Sequence, residues 1–265
     1  MTVNFERKLQ EVTESCPGRI GLALNLDGKI IEQNSRGIFS SASLIKLPIL
    51  LTAFRLKERG IFSLDEKVNL YDIKKTGGAG VLQSFSDDAV LTVSDLLSLM
   101  IVVSDNAATN FLIHRAGIQA IRACIKDLNL TSTELNREMM DLEAIKNGVN
   151  NWTAADDMLK CLKAIGEDGF LTEVSRKQIE EILQKQQFTD KLPYHMDKDK
   201  VYAGNKTGEL PGIEHDCAII RYGDRTAYAA VLIDQVQNKE AGRRTISEIG
   251  KLIYDELVMD NRKDE

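Results

Sequence analysis

Two parts of the chain, one near each end, carry the hydrophobic pattern of strands. In the first, Arg19 to Gln33, Ile20, Leu22, Leu24 and Leu26 fall at every second position; the run breaks at Asp27-Gly28 and resumes with Ile30 and Ile31. A period of two interrupted by an Asp-Gly pair predicts a β-hairpin. In the second, Asp216 to Asp234 reads as two apolar strands joined across Tyr222-Gly223-Asp224-Arg225. Between them, from Ser43 to about Glu181, the period lengthens to that of helices, as in Leu91 to Val103 and Ala107 to Gly117, with Gly60, Gly117 and Gly148 as stops. Phe5 to Ser15 predicts a surface helix. Arg243 to Met259 closes the chain as an amphipathic helix whose stripe is Ile246, Ile249, Leu252, Ile253 and Leu257.

Strands at both ends with helices between them predict an α+β fold in α/β/α layers. One antiparallel sheet is built from both chain termini and flanked by the N- and C-terminal helices, and an all-helical domain is inserted. The expected boundaries are 1–60 and 190–265 for the discontinuous sheet domain and 61–189 for the insertion. The seam between them is a natural cleft. There is no internal repeat, and Gly77-Gly78-Ala79-Gly80 lacks the third glycine of a nucleotide fingerprint, so it is expected to be a flexible loop.

Composition narrows the function classes. At 265 residues, 43% hydrophobic and 28% charged, the chain can bury a substantial core. A formal charge of −6 argues against nucleic acid as a partner. No apolar run is long enough to span a bilayer, and the first residues lack the pattern of a signal peptide. The expected location is therefore cytoplasmic, with a secreted mature form as the alternative, and the expected state is monomeric. Cys16, Cys124, Cys161 and Cys217 form no Cys-x-x-Cys pair, and His114, His195 and His215 show no ligand spacing, so neither a metal nor another cofactor is expected.

Candidate chemistry begins with Ser41 to Leu50, where Lys46 is the lone charge in a run of Leu, Ile and Pro. A lysine can lay its methylenes along apolar surface and keep its nitrogen in water, but a buried ammonium must be neutralised or paired. If the run is helical, Ser43 and Lys46 share one face, and Pro48 falls in the first turn, where its missing N–H does little harm. The helix is expected to begin close to Ser43.

Two further triplets change the weight of this pair: Ser104-Asp105-Asn106 and Lys206-Thr207-Gly208. Taken singly, the first reads as a helix N-cap and the second as polar residues beside a turn glycine. In this order and at these separations, all three together are a coincidence on the order of one in a thousand. With Ser43-Leu44-Ile45-Lys46 they make the chain resemble the penicillin-recognising serine enzymes, most closely the class A β-lactamases and their relatives among the penicillin-binding proteins, over nearly its whole length.

That resemblance implies Ser43 as nucleophile, Lys46 as base or proton relay, and Ser104 as carrier of a proton to the leaving nitrogen. Asn106 would hold the substrate amide or the lysine. Lys206 and Thr207, with Gly208, would bind the substrate carboxylate. The backbone N–H groups of Ser43 and Glu209 would form the oxyanion hole. The substrate would be a β-lactam or a D-alanyl-type amide or ester, hydrolysed through an acyl-Ser43 intermediate. A D,D-carboxypeptidase or esterase-like relative, and a penicillin-binding module that acylates without efficient deacylation, are the alternatives.

The chain departs from the family pattern in one loop. Class A enzymes activate the deacylating water with a glutamate in an Arg-x-Glu-x-x-x-Asn setting; here Arg137 is followed directly by Glu138, Met139 takes the next place, and no asparagine stands at the expected offset. Glu138 is the candidate base, with Asp141 and Glu143 as substitutes. Glu209 also follows the Lys-Thr-Gly triplet, where the family commonly has a small residue.

Overall fold

The computed structural model describes residues 1–259, so the last six positions of the expected sheet segment lie outside the described residues. The chain opens with α1 (Val3–Glu14), β1 (Arg19–Leu26), β2 (Lys29–Gln33), β3 (Phe39–Ser40) and α2 (Lys46–Glu58). The middle contains β4 (Lys67–Asn69), β5 (Val90–Thr92), α3 (Val93–Val102), α4 (Asn106–Ala116), α5 (Ile118–Asp127), α6 (Leu142–Lys146), β6 (Trp152–Thr153), α7 (Ala155–Gly166) and α8 (Glu173–Gln184). It ends with β7 (Tyr202–Leu210), β8 (Ile213–Tyr222), β9 (Arg225–Asp234) and α9 (Lys239–Met259).

The two strand-forming stretches meet, with β7 added at one edge, in one five-stranded sheet of order β2-β1-β9-β8-β7, antiparallel throughout. β1 and β9 pair from Arg19 opposite Asp234 to Leu26 opposite Ala227, which joins the two ends of the chain. The hairpins turn at Asp27-Gly28 and Gly223-Asp224, as the sequence pattern predicts. Side chains alternate faces along a strand, so the inner strands feed two cores. From β9, Ala227, Ala229, Val231 and Ile233 face α1 and α9, together with Leu22, Leu24 and Leu26 of β1. Tyr228, Ala230 and Leu232 face the opposite way, into a core shared with α2, α3, α4, α5, α7 and α8. The fold is α+β, with helices on both faces of an antiparallel sheet. No helix among the described residues is long and apolar enough to cross a membrane.

α2 runs through the helical core and buries ten residues from Lys46 to Leu56, around its whole circumference. A helix that is apolar all round belongs inside a fold. Its start differs from expectation. Ser43 lies in a 3-10 turn, Ala42–Ile45, and the α-helix proper begins at Lys46.

α9 lies so close to the segment before β7 that a Cβ on Gly250 would overlap the Leu192 carbonyl. In an exposed helix, Gly→Ala gains stability. Here Gly250→Ala is expected to destabilise the fold by about 1–3 kcal/mol through overpacking, measured by urea unfolding; a more stable variant would contradict this packing.

Candidate active site

The 3-10 turn explains how Ser43 meets Lys46. With three residues per turn, side chains at i and i+3 eclipse, which stacks the lysine over the serine. Lys46 Nζ lies 3.1 Å from Ser43 Oγ. The amine is fully buried and also contacts Ser104 O at 2.8 Å, Ser104 Oγ at 2.9 Å and Asn106 Oδ1 at 3.0 Å. Its pKa falls well below the ordinary lysine value, first through burial and then through repulsion by Lys206, against the pull of Asp105. A neutral amine has two N–H bonds and one lone pair. Ser104 O and Asn106 Oδ1 can only accept, so they take both N–H groups and leave the lone pair for a hydroxyl proton.

Ser104 sits between α3 and α4 with φ +55°, a left-handed conformation uncommon for a residue other than glycine. This turn brings its carbonyl and its hydroxyl to the same amine. Asp105 caps α4, accepting from Ala108 N through Oδ1 at 2.9 Å. Its other oxygen accepts from Val81 N and Leu82 N at 2.6 and 2.8 Å. Asn106 donates through Nδ2 to Gly77 O at 3.1 Å, which fixes its Oδ1 toward Lys46. The 77–80 loop is therefore clamped rather than flexible. Gly78 and Gly80 are required because Cβ atoms there would collide with Asn106 and Asp105.

β7, the edge strand, brings the third motif. Lys206 is fully buried and donates to Ser104 Oγ at 3.2 Å and Thr207 O at 2.8 Å. Burial outweighs the attraction of Asp216 and lowers its pKa to about 7. Gly208 packs on the 3-10 turn, where an added Cβ would lie 3.3 Å from both Ala42 Cβ and Leu44 Cγ. Glu209 accepts from Lys239 at 2.6 Å and Arg243 at 2.9 Å and pairs with Lys191 at 3.2 Å. Partial burial raises its pKa, but these cations overrule that and hold it at about 2.

Ser43 stands between two cavities. One, of about 560 Å³, lies between residues 137–145 and the β7–β8 hairpin and is lined by Asn106, Arg137, Met139, Met140 and Leu210, among others. The second, of about 500 Å³, is lined by Ser104, Thr207, Asp190, Tyr194 and Arg243, among others. Glu209 borders both.

Glu138, the expected deacylation base, borders neither cavity. Asn110 holds both backbone groups of Met139, donating to Met139 O at 3.1 Å and accepting from Met139 N at 2.8 Å. That anchor turns the Met139 thioether inward and leaves Glu138 outside, 2.9 Å from His114 Nε2 on the protein surface. The substitutes fare no better: Asp141 caps α6 through a bond from Ala144 N, and Glu143 is exposed. The sequence reading missed Asn110. Its signal was the i+4 spacing from Asn106, which places both on one face of α4. Lys191, Lys239 and Arg243 around Glu209 carried no local signal.

The family model described as the beta-lactamase enzyme family matches residues 4–257. The chain belongs to that family. Among solved structures it is similar to a beta-lactamase from Sphaerobacter thermophilus, at 26% identity and a TM-score of 0.91, covering 98% of each chain. It is also similar to a mutant of PBP-A in an acyl-enzyme complex with penicillin G, at 23% identity and a TM-score of 0.84, covering 96% of each chain. A representative class A beta-lactamase from Bacteroides cellulosilyticus shares 21% identity at a TM-score of 0.85, covering 97% of this chain and 98% of the other. These last two likenesses show the fold alone. No curated protein matches the chain. Family and fold together support a serine beta-lactamase-like hydrolase.

The depressed lysine has a consequence for stability. Between about pH 7 and 10.5 the unfolded chain holds a proton on Lys206 that the folded chain has released, so this group makes stability rise with pH across that window. Below about 7 both states are charged and the full penalty remains. Relative to Lys206→Met, the wild type is therefore expected to gain stability as pH rises through the window, as read by urea unfolding near pH 7 and near pH 10. Parallel pH curves for the two proteins would contradict the assignment.

Proposed function

We propose that this chain is a class A-like serine β-lactamase that acylates Ser43 readily and releases the acyl group slowly. The observation that carries the first half is Lys46 Nζ, buried and within 3.1 Å of Ser43 Oγ and 2.9 Å of Ser104 Oγ. Ser43 Oγ attacks the lactam carbonyl carbon while its proton passes to the lone pair of Lys46. The carbonyl oxygen becomes an oxyanion facing the N–H groups of Ser43 and Glu209. When the C–N bond breaks, Ser104 gives its proton to the leaving nitrogen and takes one from Lys46, which leaves an ester on Ser43. Lys206 stands behind Ser104 and Thr207 and borders neither cavity, so its charge attracts an anionic substrate through Thr207 rather than by direct contact.

The second half rests on Met139. Residues 137–145 contribute Arg137, Met139, Met140 and Ile145 to the cavity beside Ser43 and no carboxylate. The carboxylates on the facing wall, Glu209 and Glu214, are tied to Lys191, Lys239 and Arg243. A general base contributes about 10²- to 10⁴-fold, and hydrolysis of the ester lacks one on this side. The same observation favours a second reading, a penicillin-binding module from which the acyl group does not leave at all.

Intact-mass analysis during incubation with benzylpenicillin tests both halves. The expected result is rapid appearance of an adduct on the wild type and none on Ser43→Ala. The adduct should decay slowly, and at least about 10²-fold faster in Met139→Glu. An adduct that never decays selects the binding module. An adduct on Ser43→Ala, or none on the wild type, sinks the acylation reading.

A further inference from the structure

Glu209 N–H is the second oxyanion donor of the proposed reaction, and the sheet decides where it points. Backbone groups of an edge strand face its one neighbour and the open edge in alternation. Asn205 O accepts from Gln186 Nε2 at 3.2 Å and Thr207 O accepts from Lys206 Nζ at 2.8 Å, so these residues of β7 turn to the open edge. Glu209 is next in the same series, and its N–H faces the edge on which the 3-10 turn bearing Ser43 packs. The peptide that carries this N–H also carries the Gly208 carbonyl, which in a planar trans peptide points the opposite way. Gly208 O accepts from Lys191 Nζ at 3.4 Å. The same ammonium donates to His215 O at 3.1 Å, and His215 is the residue opposite Gly208 on β8.

Lys191 is fully buried and takes no part in the chemistry above. An ammonium removed from water needs compensation. It has Glu214 at 2.7 Å and Glu209 at 3.2 Å, and Glu214 is itself buried. Ion pairing alone does not require contact with two main-chain carbonyls. Their placement puts a positive charge on the carbonyl side of the Gly208–Glu209 peptide, on a residue that itself lines neither cavity. The neighbouring residue is held as well: Leu192 N donates to Asp216 at 3.0 Å, and α9 presses on the Leu192 carbonyl.

We propose that Lys191 is a positioning residue: by holding the Gly208 carbonyl inward, it keeps the Glu209 N–H aimed at the carbonyl oxygen of the group on Ser43. This inference rests on the acylation reading. A charge on the carbonyl side also polarises the peptide, which makes its N–H a better donor to a developing oxyanion.

The test compares the wild type with Lys191→Arg, Lys191→Met and the double variant Lys191→Met with Glu214→Leu. The double variant removes both buried charges, so the fold is not left with an orphaned carboxylate. Each folded protein is acylated with benzylpenicillin labelled with carbon-13 at the reactive carbonyl. Acylation is followed by intact mass, and the ester carbonyl stretch by infrared difference spectroscopy. The limiting acylation rate in the double variant is expected to fall roughly 10²-fold, the scale of one lost oxyanion donor, with the half-saturation concentration little changed. The carbonyl band is expected to move to higher wavenumber, and Lys191→Arg is expected to restore rate and band toward wild type. A folded double variant with wild-type rate and an unshifted band overturns the inference. A slower rate with an unshifted band also overturns it, because the loss then lies outside the oxyanion contact. A wild type that forms no adduct removes the acylation reading and this inference with it, so the two failures are distinguishable.

Discussion

A single buried amine organises this molecule. Lys46 begins the central helix, and its nitrogen reaches the hydroxyls of Ser43 and Ser104, the Ser104 carbonyl and the Asn106 amide. Burial and the nearby Lys206 favour its neutral form. Two segments far apart in sequence are thereby drawn to one point, and a third joins them where Lys206 donates to the Ser104 hydroxyl. The chemistry follows from the same fact, because an amine kept from protonation at a helix N-terminus can accept a proton that an exposed lysine would refuse.

Strain collects around that point. Ala42, Ser104 and Met140 all adopt positive φ, with values of 44°, 55° and 60°, and each stands on a wall of the cleft or next to a residue that does. Conformations of this kind persist where the surroundings over-determine them. Here the 3-10 turn packs on β7, Asn106 holds Gly77 and Asp105 holds Val81 and Leu82 at the two ends of the glycine loop, and Asn110 anchors residue 139. The rigid elements come from both ends of the chain, since β1 pairs with β9, and the site lies at the β7 edge of the sheet they form, where the 3-10 turn packs.

Much of this was legible in the sequence. The strand pairs were visible because Leu22, Leu24 and Leu26 fall at every second position on one core while the run from Ala227 to Ile233 alternates between two, a local pattern with a single physical cause. The three motifs were visible because reactive groups cluster in short segments. What escaped depends on long-range contact. No property of Glu138 itself says that it turns to His114; that follows from Asn110 fixing the next residue. The 77–80 loop reads as flexible because glycine confers freedom, whereas Gly78 and Gly80 are fitted against Asn106 and Asp105. The helix start was displaced by three residues, because a 3-10 turn and an α-helix share the same propensities and differ only in pitch.

The most direct measurement is an NMR titration of the wild type labelled with carbon-13 at the lysine ε position, with the Lys46 signal assigned by its loss in Lys46→Arg. The account predicts that this signal titrates apart from the exposed lysines and at clearly lower pH. A Lys46 signal that titrates together with the surface lysines would mean a permanently charged amine, and proton abstraction from Ser43 by that amine would have no physical basis.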